Sequence, residues 1–177
     1  MSVFQYFFVM PQLKPLSKAF IPKALDRAKH YRLLNEPWQA QSICRDILNV
    51  DPDHQLALLN LILALTDQFS DEKRLSFAKE AEELCGQLKS NFEQNYYRGI
   101  ISERLGKAVL SRNTPRVEYI AYDHYRTAME FFEDAQKIRP KGNHDALLRW
   151  NACVRRIQEF KLKPSPDDHN VQPFLDV

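Results

Sequence analysis

The sequence predicts an all-α fold of about seven helices joined as antiparallel pairs, and three observations carry that prediction. From Ala19 onwards, apolar residues recur at the three-and-four spacing of a helix face, and no segment shows strand-like alternation closed by hairpin turns. Glycine is scarce, at four in 177 residues, so there are few places for hairpin turns or phosphate-cradling loops. Prolines and capping residues interrupt the apolar pattern at regular intervals, dividing it into helix-length pieces.

The first helix, in FIPKALDRAKHYRLL, sets Leu25, Ala28, Tyr31 and Leu34 on one stripe. Pro37 then sits in the first turn of a second helix, where its missing N–H costs least. Trp38, Ala40, Ile43, Cys44, Ile47 and Leu48 form the apolar face of that helix. Asp51 is the expected cap and Pro52 the expected opening of a third helix, QLALLNLILALTDQF, which is apolar on nearly every side and so reads as central. A fourth helix is capped by Ser70, with Asp71 and Glu72 in its first turn, and turns Leu75, Ala78, Ala81, Leu84 and Cys85 inward; Gly86 or the stretch 89–91 ends it. The fifth runs through NFEQNYYRGIISERLGKAVL. Thr114 and Pro115 announce a long sixth, which Pro140 ends, and Asn143 caps a seventh with apolar Leu147, Leu148, Trp150 and Val154.

One spacing recurs. Ala128, Phe132, Ala135 and Pro140 stand at steps of four, three and five, and Ala40, Cys44, Ile47 and Pro52 repeat those steps. The pattern has a packing rationale: a small residue lets the second helix of a pair approach the first, a larger one fills the space to the next pair, and proline ends the unit. This resembles the tetratricopeptide repeat, a helix–turn–helix unit of about 34 residues. Ala28 and Tyr31 stand where the family's first helix carries Gly and Tyr, and Gly99 supplies the glycine in a later unit. The match is strict only in two second helices, and the second unit has a longer connection, TDQFSDEK.

The resemblance implies a right-handed superhelix, an α-solenoid of about three repeats over residues 20–51, 52–88 and 91–139, with a capping helix at 143–160. It further implies a concave groove, lined by the first helices of the pairs, that receives an extended peptide or a helix of another protein. Helical position makes Lys29, Arg32, Asn60, Leu63, Asp67, Tyr96, Ile100, Glu103, Arg104, Asn151 and Arg155 the groove candidates. Charge reversal at Arg104 or Arg155 is therefore expected to weaken partner capture and spare stability. Lys29, Asn60 and Arg104 supply the residue types of the family's carboxylate clamp but not its spacing, so binding of chaperone tails is not expected.

Composition narrows the function classes. A formal charge of +2, 44% hydrophobic and 27% charged residues describe an ordinary globular chain, with no strong electrostatic pull towards nucleic acid or anionic membrane. Cys44, Cys85 and Cys153 are odd in number and far apart, which points to buried thiols in a reducing compartment, the cytoplasm, with neither a zinc site nor a disulfide framework. No phosphate loop, nucleophile elbow or H-E-x-x-H is present, so neither an enzyme nor a cofactor or metal is expected.

Alternatives stay open beside this adaptor reading. An enzyme would need Asp67, Glu103 and His124 to converge. A nucleic-acid binder would use Arg149, Arg155, Arg156, Lys161 and Lys163. Residues 1–18 read as a flexible apolar arm, too short and proline-cut to span a membrane, or as residues ahead of a start at Met10; the arm is a candidate for self-association. Residues 161–177, rich in proline and polar groups, read as a disordered tail. The stripe of Tyr119, Tyr122, Tyr125 and Phe132 reads as core, or as a second partner surface where exposed.

Overall fold

The structure, a computed structural model, describes residues 10–70, 74–112 and 115–166. A 3-10 turn at Lys18–Phe20 leads into seven α-helices: α1 (Ile21–Leu33), α2 (Pro37–Val50), α3 (Gln55–Thr66), α4 (Arg74–Cys85), α5 (Asn91–Leu110), α6 (Val117–Lys137) and α7 (Asp145–Glu159). No strand occurs among the described residues. Extensive contacts join each helix to the next along the chain, and beyond neighbours α1 also touches α3 and α3 touches α5. The fold is thus a run of packed adjacent helix pairs.

Local chemistry explains the boundaries. α1 buries Ile21, Ala24, Leu25 and Ala28, one face at helical spacing. It ends where Asn35 takes a left-handed conformation (φ 59°), with the Asn35 N–H donating to the Arg32 carbonyl and the Glu36 N–H reaching back to Tyr31. That six-to-one closure satisfies carbonyls the helix leaves orphaned, and asparagine tolerates the geometry better than most residues. α7 ends the same way around Lys161 (φ 52°), with Leu162 N–H donating to Ile157 O. Leu162 is buried with Ile157 packed beside its cluster, the apolar contact that accompanies this closure. The described residues continue to Pro166, past the expected start of the tail at 161; residues 167–177 lie outside them.

α3 is buried on almost every side, from Ala57 to Thr66, because α1, α2, α4 and α5 all pack on it. Its start differs from expectation: Asp51 closes α2, Pro52 lies exposed in the turn, and His54 is the cap, its Nδ1 accepting the Ala57 N–H at 3.3 Å. α4 stops directly before Gly86. Ser90 caps α5 by accepting the Glu93 N–H, the first half of a Ser-x-x-Glu capping pair. Asn143 accepts the Asp145 N–H at the head of α7. The Asp71, Glu72 and Thr114 predictions fall outside the described residues, and α6 opens after Arg116, which is left-handed at φ 64°.

The repeated spacing is a core device. Ala28, Ala40, Cys44, Ile47, Ala128, Phe132 and Ala135 are all fully buried. At Gly99 a β-carbon would come within 2.4 Å of the Phe132 ring, so the α5–α6 approach depends on that glycine. A third instance, Ala81, Cys85 and Leu88, is equally buried. It escapes a sequence reading keyed to proline because Glu93 occupies the fourth position. Tyr31 packs half-buried against the first core. Pro140, like Pro52, is exposed in its turn.

Several apolar residues expected inside are outside. Leu34 sits beyond the last helical residue of α1 and loses the bearing of the stripe; Trp38 lies on the outer side of the first turn of α2. Leu75 is exposed on α4. α7 has α6 as its principal neighbour, and its inward side is Ala146, Trp150, Cys153 and Ile157, leaving Leu147 and Leu148 outward. The tyrosine stripe of α6 is mostly core: Tyr125 and Phe132 are buried and Tyr122 packs against them, while Tyr119 stacks under the Arg116 guanidinium.

Candidate functional site

The α1–α2 turn and the helices α3, α5 and α7 meet at a cavity of about 440 Å³. Its walls come from the α1–α2 turn (Asn35), the end of α3 (Thr66, Asp67, Phe69, Ser70), the second half of α5 (Glu103, Arg104, Lys107, Ala108, Ser111) and α7 (Arg149). Glu103 and Lys107 stand four apart, as do Lys107 and Ser111, and Arg104 and Ala108, so one face of α5 supplies most of the wall.

Asp67 organises the floor. Its carboxylate accepts from Arg32 Nε of α1 at 2.7 Å and from Arg104 Nη1 of α5. Both guanidiniums are about four-fifths buried, with side-chain exposures of 19% and 22%. Arg104 Nη1 also donates to the Leu63 carbonyl at 3.2 Å and to Thr66 Oγ1 at 2.5 Å. A cation at the end of α3 complements the negative pole of that helix. Asp67 alone would oppose that pole, and the two arginines reverse the sign of the site. Burial lowers the Arg104 pKa; Asp67 pulls it back up, while Arg32 and Arg149 add repulsion. Three helices are tied at one carboxylate.

A second pair closes the other wall: Arg149 Nη1 bridges both Glu103 oxygens at 3.2 and 3.3 Å. Burial works against the Arg149 charge, but Glu103 and the nearby Tyr96 outweigh it and hold its pKa above the ordinary value. Tyr96 is itself fixed by rings, stacked on Phe92 at 5.7 Å and edge-on to Tyr97 at 5.3 Å. Lys107 is exposed and has no ion-pair partner among the described residues.

Among the sequence candidates, the structure brings Asp67, Glu103 and Arg104 into the lining of one cavity, with Arg32 joined through Asp67, while Tyr96 does not line it. Two candidates are corrected by burial. Ile100 is 2% exposed and belongs to the core shared by α5, α6 and α7, and Asn60 is buried with its amide donating to the Leu56 carbonyl at 2.7 Å. Leu63 packs half-buried against that same core and contributes its carbonyl, not its side chain, to the Arg104 clasp. Lys29 is exposed beside Asp26, and neither it, Asn151 nor Arg155 lines the cavity. Arg104 lines the cavity and also bonds Leu63, Thr66 and Asp67, so its charge reversal is expected to affect stability as well as the cavity.

Arg149, Lys107 and Asn35 were not singled out for the groove. Lys107 was legible as the residue one turn after Glu103 and Arg104; Asn35 lies in a turn, where helical position gives no bearing. His124 is not among the cavity residues. It lies half-buried on α6 against Gly106, where burial lowers its pKa, so Asp67, Glu103 and His124 do not converge. Of the basic residues near the end of the chain, Arg149 is committed to Glu103, and Arg156 to Glu159 and the Phe160 ring.

Beside the cavity the α1–α2 turn exposes Leu33, Leu34 and Trp38, at 86%, 57% and 63%. The same turn contributes Asn35 and Pro37 to a shallower hollow with Asp67, Gln68 and Ser70. Among the described residues no group of three or more His, Cys, Asp or Glu is placed to hold a metal ion, and no helix is long and apolar enough to cross a membrane. No family model, curated protein or solved structure matches this chain.

Proposed function

We propose that the helix pairs stack as an open, tetratricopeptide-like α-solenoid, and that the protein is a non-enzymatic adaptor receiving a peptide or helix of another protein at the cavity. The observation that carries this reading is the make-up of the cavity walls: α3, α5 and α7 and the residues at their ends line it together with the α1–α2 turn, α1 is tied to it through Arg32 and Asp67, and no residue within α2, α4 or α6 is among its lining. A stack of antiparallel pairs puts alternate helices on one side, which is how such folds form a continuous binding surface. Side chains held by ion pairs on the helices present a preorganised surface. The titratable groups of the cavity floor are already engaged with one another, which suits recognition better than proton transfer. The three buried free thiols fit a reducing, cytoplasmic setting.

The test is comparative affinity capture from native extract. Ser111→Trp places bulk at the exposed rim of the cavity, and Lys79→Trp places the same bulk on exposed α4. Partners retained by the wild type and by Lys79→Trp, but lost with Ser111→Trp, support the reading. An identical retained set for all three proteins refutes it.

A further inference from the structure

Resting on the adaptor reading, we infer that the partner segment seated in this cavity is acidic. The charges at the site do not balance. Among the described residues, Arg104, Lys107 and Arg149 line the cavity with two carboxylates, Asp67 and Glu103, and Arg32 joins Asp67 from α1, so these six side chains carry an excess of two positive charges.

The excess is localised. Glu103 and Arg149 neutralise each other, and Asp67 is shared by two guanidiniums, one more than it neutralises. Arg104 makes all its bonds through Nη1 and Arg32 through Nε, which leaves guanidinium nitrogens of both without a partner among the described residues. Arg104 already meets the repulsion of Arg32 and Arg149, so an added anion relieves a like-charge contact as well as gaining an attraction. Lys107, with no ion-pair partner among the described residues, is the second point of attachment. Two carboxylates of one segment, spaced to reach the Arg104 edge and Lys107, answer this arrangement.

A nucleic-acid strand answers it less well. Asp67 and Glu103 are fixed in the walls and repel a continuous run of phosphates, and the three lining cations, Arg104, Lys107 and Arg149, converge on one hollow instead of tracking along a strand.

The experiment uses short fluorescent peptides of the repeats Glu-Leu-Ala, Gln-Leu-Ala and Lys-Leu-Ala, with a mixed-sequence oligonucleotide as competitor. Amide NMR shifts at Asn35, Lys107 and Ser111 report the place of binding. The Glu peptide is expected to bind there, at least about tenfold tighter than the Gln peptide, and Lys107→Glu is expected to weaken it about tenfold while leaving unfolding unchanged. Equal binding of all three peptides at these amides, or indifference to Lys107→Glu, overturns the acidic assignment and leaves the adaptor reading standing. Tighter binding of the oligonucleotide than of the Glu peptide also overturns it. Failure of every peptide to shift these amides overturns the assignment, and Ser111→Trp capture then decides separately whether the adaptor reading falls with it.

Discussion

Replacing Asp67 by asparagine keeps the size of the side chain and removes the charge that Arg32 and Arg104 share. The consequence follows from how deeply the three groups sit. An exposed ion pair is worth about 0–1 kcal/mol, whereas removing one partner of a fully buried pair costs about 3–5 kcal/mol because the other charge is left stranded. Arg32, Asp67 and Arg104 each keep only about a fifth of their side-chain exposure, and two cations are stranded together. We place the loss between those limits, at roughly 2–3 kcal/mol. For a chain of this size that lowers Tm by about 5–10 °C. Urea unfolding followed by far-UV circular dichroism measures it, with the midpoint falling and the slope unchanged. Because the damage is repulsion between two cations, Arg32→Gln added to Asp67→Asn should restore part of the loss, giving a sub-additive cycle. A midpoint shift worth less than about 0.5 kcal/mol, or a strictly additive cycle, would refute the claim that one carboxylate ties α1, α3 and α5 together.

Two further outcomes follow from the core. Gly99→Ala drives a methyl group into the buried Phe132 ring and is expected to cost about 1–3 kcal/mol; Phe132→Leu in the same chain should recover part of it, and full additivity in chemical unfolding would show that the contact is not the cause. Burial pushes Cys44, Cys85 and Cys153 from 9.0 up to about 12, so a thiol-specific reagent should modify the native protein only as fast as it unfolds, and rapid labelling of any of the three would contradict the buried assignment. The sign of the linked pH effect is fixed: between pH 9 and 12 the unfolded chain releases thiol protons that the folded chain keeps, so stability falls as pH rises through that window.

Much of the helical layout was legible along the chain, because the forces that set it act over a few residues. Pro37 at a helix start, Gly86 after a helix end and the steps from Ala40 to Ile47 are each local, and the structure keeps them. The readings that failed needed knowledge of a neighbour. Leu34, Trp38, Leu75 and Leu148 obey the apolar pattern yet face solvent, since no helix lies over them. Asn60 and Ile100 sit on helices that helical position assigned to a groove, but α3 and α5 are covered on so many sides that both residues are buried.

The amino-acid order alone determined that this chain is helical, where its helices break, and which small residues let them approach. Only the tertiary structure decided how its charges are used. Asp67 is 35 residues from Arg32 and 37 from Arg104, and Glu103 is 46 from Arg149. Pairings over such distances leave no periodic trace, because they depend on the angles at which whole helices pack and not on the spacing within any one of them.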